Sequence, residues 1–293
     1  MRPAPFDYLA PQDLPEALSA VTHPDHVVLA GGQSLVPMLN RRHVRPRLVV
    51  DINSIEQLRG FSVLDTSVRL GSLTRHRWLE VSAEVARGCP ALSAAARLIG
   101  DPEVRRRGTL GGSLSHAAPG AQLPTVAVLL NAVIEVAGIE GNRVISSRQF
   151  FVGRHRTALA SGEVILAVQV PRVTSAEGQA LRQFTRHSHG VNLVAAARVA
   201  ISQDGQCVGA DLAVGGADVP VLLSDEASGL VGARSLTAEQ VSPIARGAAE
   251  VWVEAHAAGA GARHQRLAEV AIGGALLAAW RCAFQEGRID DAH

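Results

Sequence analysis

The chain has 293 residues, 47% of them apolar and 19% charged, with a formal net charge of +1. That length supports a buried core and two or three domains, and the near-neutral balance argues against a nucleic-acid binder, which needs a basic footprint. All 28 basic residues are arginine, which removes Schiff-base lysine chemistry and the phosphate-binding lysine of a P-loop.

In chain order, "PQDLPEALSAV" reads as a helix start, with Asp13 as N-cap and Pro15 in the first turn. "HVVLAGG" and "RLVVDINSI" read as short buried strands, the second ending at Asp51. Residues 1–56 therefore form a strand–glycine turn–helix–strand unit. "FSVLDTSVRLGS" predicts a hairpin turning at Asp65-Thr66-Ser67, and Thr74 caps the helix that follows. "CPALSAAARLIGDPEVRRRGT" is a helix broken near Gly100-Asp101-Pro102, and "TVAVLLNAVIEVAG" fits a helix passing into a strand. "EVILAVQVP" is a strand stopped by Pro171.

The polar stretch "RVTSAEGQA" marks a boundary, giving units of 57–175 and 176–293 after the first. In the last unit, "VNLVAAARVAI" and "CVGADLAVGG" predict strands. Two helical stretches follow, the second packing tightly through Gly273-Gly274.

Cys89, Cys207 and Cys282 lie far apart and supply neither zinc nor iron–sulfur spacing. They read as free core thiols of a reducing compartment. The N-terminal stretch lacks the apolar core of a signal peptide, and no run of about 18 apolar residues is evident, so a cytoplasmic protein without a membrane span is expected.

Two stretches carry chemistry. In "AGGQSLVPML", Gly31 and Gly32 follow a strand and precede a helix. Such a turn offers bare main-chain amides and a helix N-terminus to an anion such as a pyrophosphate, with Gln33 and Ser34 as further donors. The same run also fits a plain tight turn. Eighty residues on, "RRRGTLGGSLSHAAPGAQLP" repeats the pattern, with Gly111 and Gly112 flanked by Thr109, Ser113 and Ser115, then His116. Two such turns can clasp one long ligand bearing phosphates and a polyol. Neither is the GxGxxG of a nicotinamide-binding strand turn.

Together with "SGEVILAVQVP", these stretches resemble the FAD-binding medium subunits of molybdenum hydroxylases, the group of aerobic carbon monoxide dehydrogenase and xanthine dehydrogenase. The resemblance covers nearly the whole chain. It implies an α+β protein: a two-domain FAD-binding fold of the PCMH type, then a C-terminal α+β domain with an antiparallel sheet and helices. It places FAD between the first two domains. It assigns pyrophosphate binding to Gly31, Gly32, Gln33 and Ser34, and counts Ala30 and Leu35 among the cofactor-binding residues. Ribityl and pyrophosphate contacts fall to Thr109, Gly111, Gly112, Ser113 and Gln122, and the flavin ring lies near Ile165 and Leu166. It further implies a molybdenum-cofactor large subunit and a [2Fe-2S] small subunit as partners, with this chain passing electrons to an acceptor.

The chain departs from the family pattern at polar positions. Ser113 stands for Asn, Ala118 and Gln122 for Asp, and Gly190 for Asp; Val191 replaces an aromatic found in some members; His264 and Gln265 replace Tyr-Arg. Such changes fit compensated drift, a stand-alone or repurposed flavin-fold protein, or an assembly subunit whose FAD site has decayed. His116 is the candidate acid, base or modulator of flavin potential, with a solvent-facing loop histidine as the alternative. His187 and His189 flank Ser188 without a third metal ligand nearby and read as surface residues. Arg105-Arg106-Arg107 reads as a solvated charged turn or a steering patch for an anion.

Overall fold

The computed structural model describes residues 2–174, 176–184, 193–256 and 262–286. The β-branched runs at the start of the chain become a three-stranded parallel sheet. Leu48–Asp51 lies at its centre, flanked by Asp7–Leu9 and His26–Leu29. The helix Leu14–Ala20 begins as its sequence demands: the Asp13 carboxylate accepts from the Glu16 N–H at 2.9 Å and Pro15 sits in the first turn. The helix Leu35–Asn40 follows the first glycine turn.

A five-stranded antiparallel sheet comes next, in the order Phe61–Val63, Ser67–Gly71, Val164–Pro171, Val133–Gly138, Gly141–Ser146. The helix expected to pass into a strand does so: Gln122–Leu129 is wholly buried and leads to Val133–Gly138. The helix of small residues is Pro90–Arg97, and the break at Asp101-Pro102 starts a second one, Pro102–Arg107, capped by the Asp101 carboxylate on the Val104 N–H at 2.9 Å. Thr74 is not a cap. The helix His76–Val81 starts after Arg75 with no side-chain cap, because the preceding residues are committed to another pairing.

The third sheet is antiparallel and runs Glu177–Phe184, Leu193–Ile201, Cys207–Gly215, Val221–Leu222. One face packs on the helices Ala238–His256 and Ala262–Glu286 through residues such as Val199, Leu212, Ala275 and Leu276. Its other face contributes Leu181, Val194, Ala196 and Ala213 to the core beneath the five-stranded sheet. The polar stretch around residue 177 is thus the start of a long strand. Alternation of glycine and polar residues there hid a strand that is buried on both sides.

The tight packing expected at Gly273-Gly274 falls elsewhere. A Cβ on either glycine would make ordinary contacts, whereas one on Gly178 would lie 2.0 Å from the Ala279 carbonyl oxygen and 2.3 Å from the Ala283 nitrogen. Ala262–Phe284 of the last helix is long and apolar enough to cross a membrane by length and composition alone, although charged residues interrupt any continuous apolar run. Its Ala268, Ala271, Ala275 and Ala279 are nevertheless fully buried against protein. Burial pushes the Cys89 thiol up to about 12, which suits an inert core thiol.

The Gly178 contact yields a test. Gly178→Val should force the last helix off the sheet and cost about 1–3 kcal/mol or more in urea unfolding, whereas Gly274→Ala should be close to neutral.

Candidate functional site

The site is built on a short antiparallel pairing between residues 72–76 and 108–111. The His76 N–H donates to the Gly108 carbonyl at 3.0 Å, the Leu110 N–H to Thr74 at 2.9 Å and the Gly111 N–H to Ser72 at 2.8 Å. His76 Nε2 donates to the Thr109 carbonyl at 2.9 Å. The approach is close enough that a Cβ on Gly111 would lie 2.6 Å from the Ser72 Cβ. Thr109 then caps the helix Leu110–His116, its hydroxyl accepting from the Gly112 N–H at 3.1 Å. The second glycine stretch is therefore a helical first turn rather than an open loop.

The first glycine turn leans on this unit. A Cβ on Gly31 would sit 2.3 Å from the Arg107 carbonyl oxygen and 2.9 Å from the Gly108 Cα, and Gly32 takes the left-handed φ of +71°. A polar chain holds the turn from behind. Tyr8 donates to Asp51 at 2.6 Å, and Asn53 Nδ2 donates to Asp51 at 2.7 Å and to the Ala30 carbonyl at 2.7 Å. Arg75 donates to Asn53 Oδ1 at 2.7 Å and to the Arg107 carbonyl. Burial raises the Asp51 pKa, but hydrogen bonds from Tyr8 and Asn53, with the Arg75 charge, outweigh it and hold the carboxyl below its usual range.

The two turns differ in what they offer. The N–H groups of Gly31, Gly32, Gln33 and Ser34 have no acceptor among the described residues. Those of Gly111, Gly112 and Ser113 are spent on Ser72, Thr109 Oγ1 and the Thr109 carbonyl. The Gln33 side chain is turned back on its own loop, donating to the Gly31 carbonyl at 3.1 Å.

Between the turns lies a cavity of about 570 Å³, within the range of small-molecule sites. Residues Ala30 through Leu35 form one lip, and Thr109, Gly111, Gly112, Ser113 and Ser115 the other. Val28, Met38, Ile52, Leu159, Val164 and Ile165 give the cavity its apolar lining. Leu166 is not in the wall. It lies where the strand register slips between Ile165 and Ala167, and it packs against the core of the first unit. Gln122 lines the cavity but is buried, and its amide donates to the Leu98 carbonyl at 3.2 Å and to Gln183 at 2.7 Å. Its donors thus tie the cavity floor to the third sheet.

His116 lines the cavity with its ring 4.6 Å from that of His155. Burial, then the His155 charge, pushes its pKa down, so the imidazole is neutral near pH 7. His187, His189, Gly190 and Val191 lie outside the described residues. Of the three arginines, Arg105 is bound to Glu80 at 2.9 Å and to the Ile99 and Gly100 carbonyls. Arg106 and Arg107 join Arg75 around a second cavity of about 540 Å³ on the outer side of the first turn.

Two wall residues, Ser72 and His76, escaped the sequence reading. Both are buried, and Ser72 Oγ and His76 Nδ1 have no protein partner. Only their place just past a strand end could have flagged them. Burial, opposed by the Thr109 bond and aided by the charges of Arg75 and Arg105, pushes the His76 pKa from 6.5 down to about 4.

Facing glycine turns, amides without an acceptor among the described residues on one, hydroxyl-bearing residues on the other and an apolar lining fit a dinucleotide-type cleft. The chain belongs to the family described as the FAD binding domain in molybdopterin dehydrogenase, whose model matches residues 4–173. The 6-hydroxypseudooxynicotine dehydrogenase complex subunit alpha of Paenarthrobacter nicotinovorans is 34% identical over 254 residues, 85% of this chain and 86% of that one. The carbon monoxide dehydrogenase medium chain of Hydrogenophaga pseudoflava is 36% identical over 188 residues, 64% of this chain and 66% of that one. Among solved structures, the carbon monoxide dehydrogenase of Hydrogenophaga pseudoflava lacking the Mo-pyranopterin moiety superposes with a TM-score of 0.87 at 30% identity, over 96% of this chain and 100% of the matched chain. Quinoline 2-oxidoreductase of Pseudomonas putida 86 gives 0.86 at 29%, over 97% and 99%. The α+β architecture is that of these medium subunits.

The His76 shift makes a prediction with a definite sign. Between pH 4 and 6.5 the unfolded chain protonates this ring and the folded protein does not, so stability falls as pH drops through that window and is unaffected above it. The group accounts for roughly 3 kcal/mol. Urea unfolding of His76→Leu should show a flatter pH profile than the parent; identical slopes would contradict a buried neutral ring.

Proposed function

We propose that this chain is the FAD-carrying medium subunit of a molybdenum-hydroxylase-type dehydrogenase, receiving electrons from partner subunits and delivering them to an acceptor. The observation that carries the reading is the run of four unpaired amides at Gly31–Ser34, facing hydroxyl-bearing residues across one cavity. That donor set matches a pyrophosphate, and the apolar lining that includes Leu159 and Ile165 matches an aromatic ring system. Bound FAD would supply a redox centre able to exchange electrons with both one- and two-electron partners.

The chain's own residues then have distinct tasks. Gly31–Ser34 hold the anionic bridge through backbone N–H groups. Ser113 and Ser115 present hydroxyls to the polyol region, and the apolar walls exclude water from the ring. The neutral His116 at the rim is placed to exchange a hydrogen bond with the ligand without adding charge. Arg75, Arg106 and Arg107 put positive potential behind the pyrophosphate turn.

The partners are part of the same reading. The chain has three cysteines, distant in sequence, and no spacing of a four-cysteine cluster. The proposal therefore places the iron–sulfur relay and the molybdenum site on partner chains; the relatives are named as a complex subunit alpha, a medium subunit and a medium chain.

Purified full-length chain should take up one equivalent of FAD, identified by its absorption and by the mass of the released cofactor. Purification of the chain from its native cells should recover molybdenum- and iron-bearing chains with it. Gly31→Val, which drives a branched side chain into the Arg107 carbonyl, should weaken FAD binding at least tenfold. A colourless protein that stays so when titrated with FAD overturns the proposal.

A further inference from the structure

Among the described residues, three buried polar side-chain atoms lack a hydrogen-bond partner: Ser72 Oγ, His76 Nδ1 and Trp252 Nε1. Buried polar groups without partners are rare, and each calls for an explanation. Two of them belong to residues that line one cavity, Ser72 and His76, which are 4% and 5% exposed. Both belong to the segment that pairs with residues 108–111, so their backbones are fixed while their side chains are left without protein partners.

The protonation pattern of His76 follows from its neighbours. Nε2 faces the Thr109 carbonyl at 2.9 Å and therefore carries the proton. In the neutral ring Nδ1 is then a lone-pair acceptor. It stands against the Gly108 backbone, where a Cβ would come within 2.6 Å of it. Ser72 Oγ can both donate and accept. An acceptor and a hydroxyl on one wall of the cleft call for a ligand that brings its own hydroxyl groups. The phosphates of a dinucleotide have no proton to give to Nδ1 near neutral pH, whereas its ribose and polyol do.

We propose that Ser72 and His76 are cofactor-binding residues that hydrogen-bond sugar or polyol hydroxyls of the dinucleotide, with His76 Nδ1 as the acceptor. This deepens the FAD reading above and rests on it. The two residues complement the donors of the glycine turns: amides take the anionic bridge, and this acceptor and hydroxyl take the neutral hydroxyls beside it. Leaving them unpaired costs stability in the empty protein, and FAD would relieve that cost, so cofactor binding and folding are coupled through these two atoms.

The test uses the full-length apo chain titrated with FAD. Nitrogen-resolved imidazole NMR should show His76 in the Nε2–H form before addition, and an upfield move of Nδ1 on saturation while Nε2 holds its position. Ser72→Ala should weaken FAD binding by about 2- to 10-fold, yet leave the apo melting temperature unchanged or raised, because it removes a hydroxyl with no protein partner. His76→Leu should weaken FAD binding at least as much. A protein visibly loaded with FAD whose Nδ1 resonance does not move, or a Ser72→Ala chain with unaltered affinity, overturns the assignment for that residue and leaves the FAD reading intact. A chain that takes up no FAD overturns both.

Discussion

The pairing of residues 72–76 with 108–111 is the contact on which the site depends. Three backbone hydrogen bonds and the His76–Thr109 bond fix where the helix Leu110–His116 begins. That in turn sets the Arg107–Gly108 backbone as the surface against which Gly31 is pressed. The parallel sheet of the first unit and the antiparallel sheet of the second thereby meet through two stretches of main chain. A side chain at residue 31 would hold them apart, which is why glycine stands there, while Gly111 admits Ser72 within the second unit. Both turns line the cavity beside this contact.

The two glycine turns look alike in sequence and do different work. In the second, glycine serves packing: Gly111 admits Ser72 and donates to its carbonyl, and the Gly112 and Ser113 amides go to Thr109. In the first, Gly31 serves packing, and the amides of residues 31–34 have no acceptor among the described residues, as the proposed FAD site requires. An arrangement with unpaired amides on only one lip fits a ligand whose charge lies on one side and whose hydroxyls lie on the other. The polar chain Tyr8–Asp51–Asn53–Arg75 behind the first turn keeps that lip in place without spending its donors.

Much of this was legible in the sequence because it rests on local signals. Asp13-x-Pro15 and Asp101-Pro102 announce their helices, and β-branched runs announce the strands that flank the first turn. The two glycine stretches identify the cleft because backbone exposure has few other residue solutions. What stayed hidden depends on distant neighbours. Thr74 reads as a cap, but its carbonyl is engaged with Leu110. Gln122 reads as a ligand group, but its donors reach Leu98 and Gln183. Leu166 reads as a ring contact, but a one-residue slip in register turns it into the first core. Ser72 and His76 carry no motif; only folding buries them without partners.

In the proposed FAD complex, the amides of Gly31–Ser34 grip the cofactor while those of Gly111 and Gly112 are already engaged. Residue-resolved amide hydrogen exchange of the chain, with and without FAD, tests this division of labour. Exchange should be fast at Gly31, Gly32, Gln33 and Ser34 in the apo protein, with strong protection there when FAD is bound, and protection at Gly111 and Gly112 in both states. Unchanged exchange at the first turn in a FAD-loaded protein, with new protection appearing at the second, would contradict it.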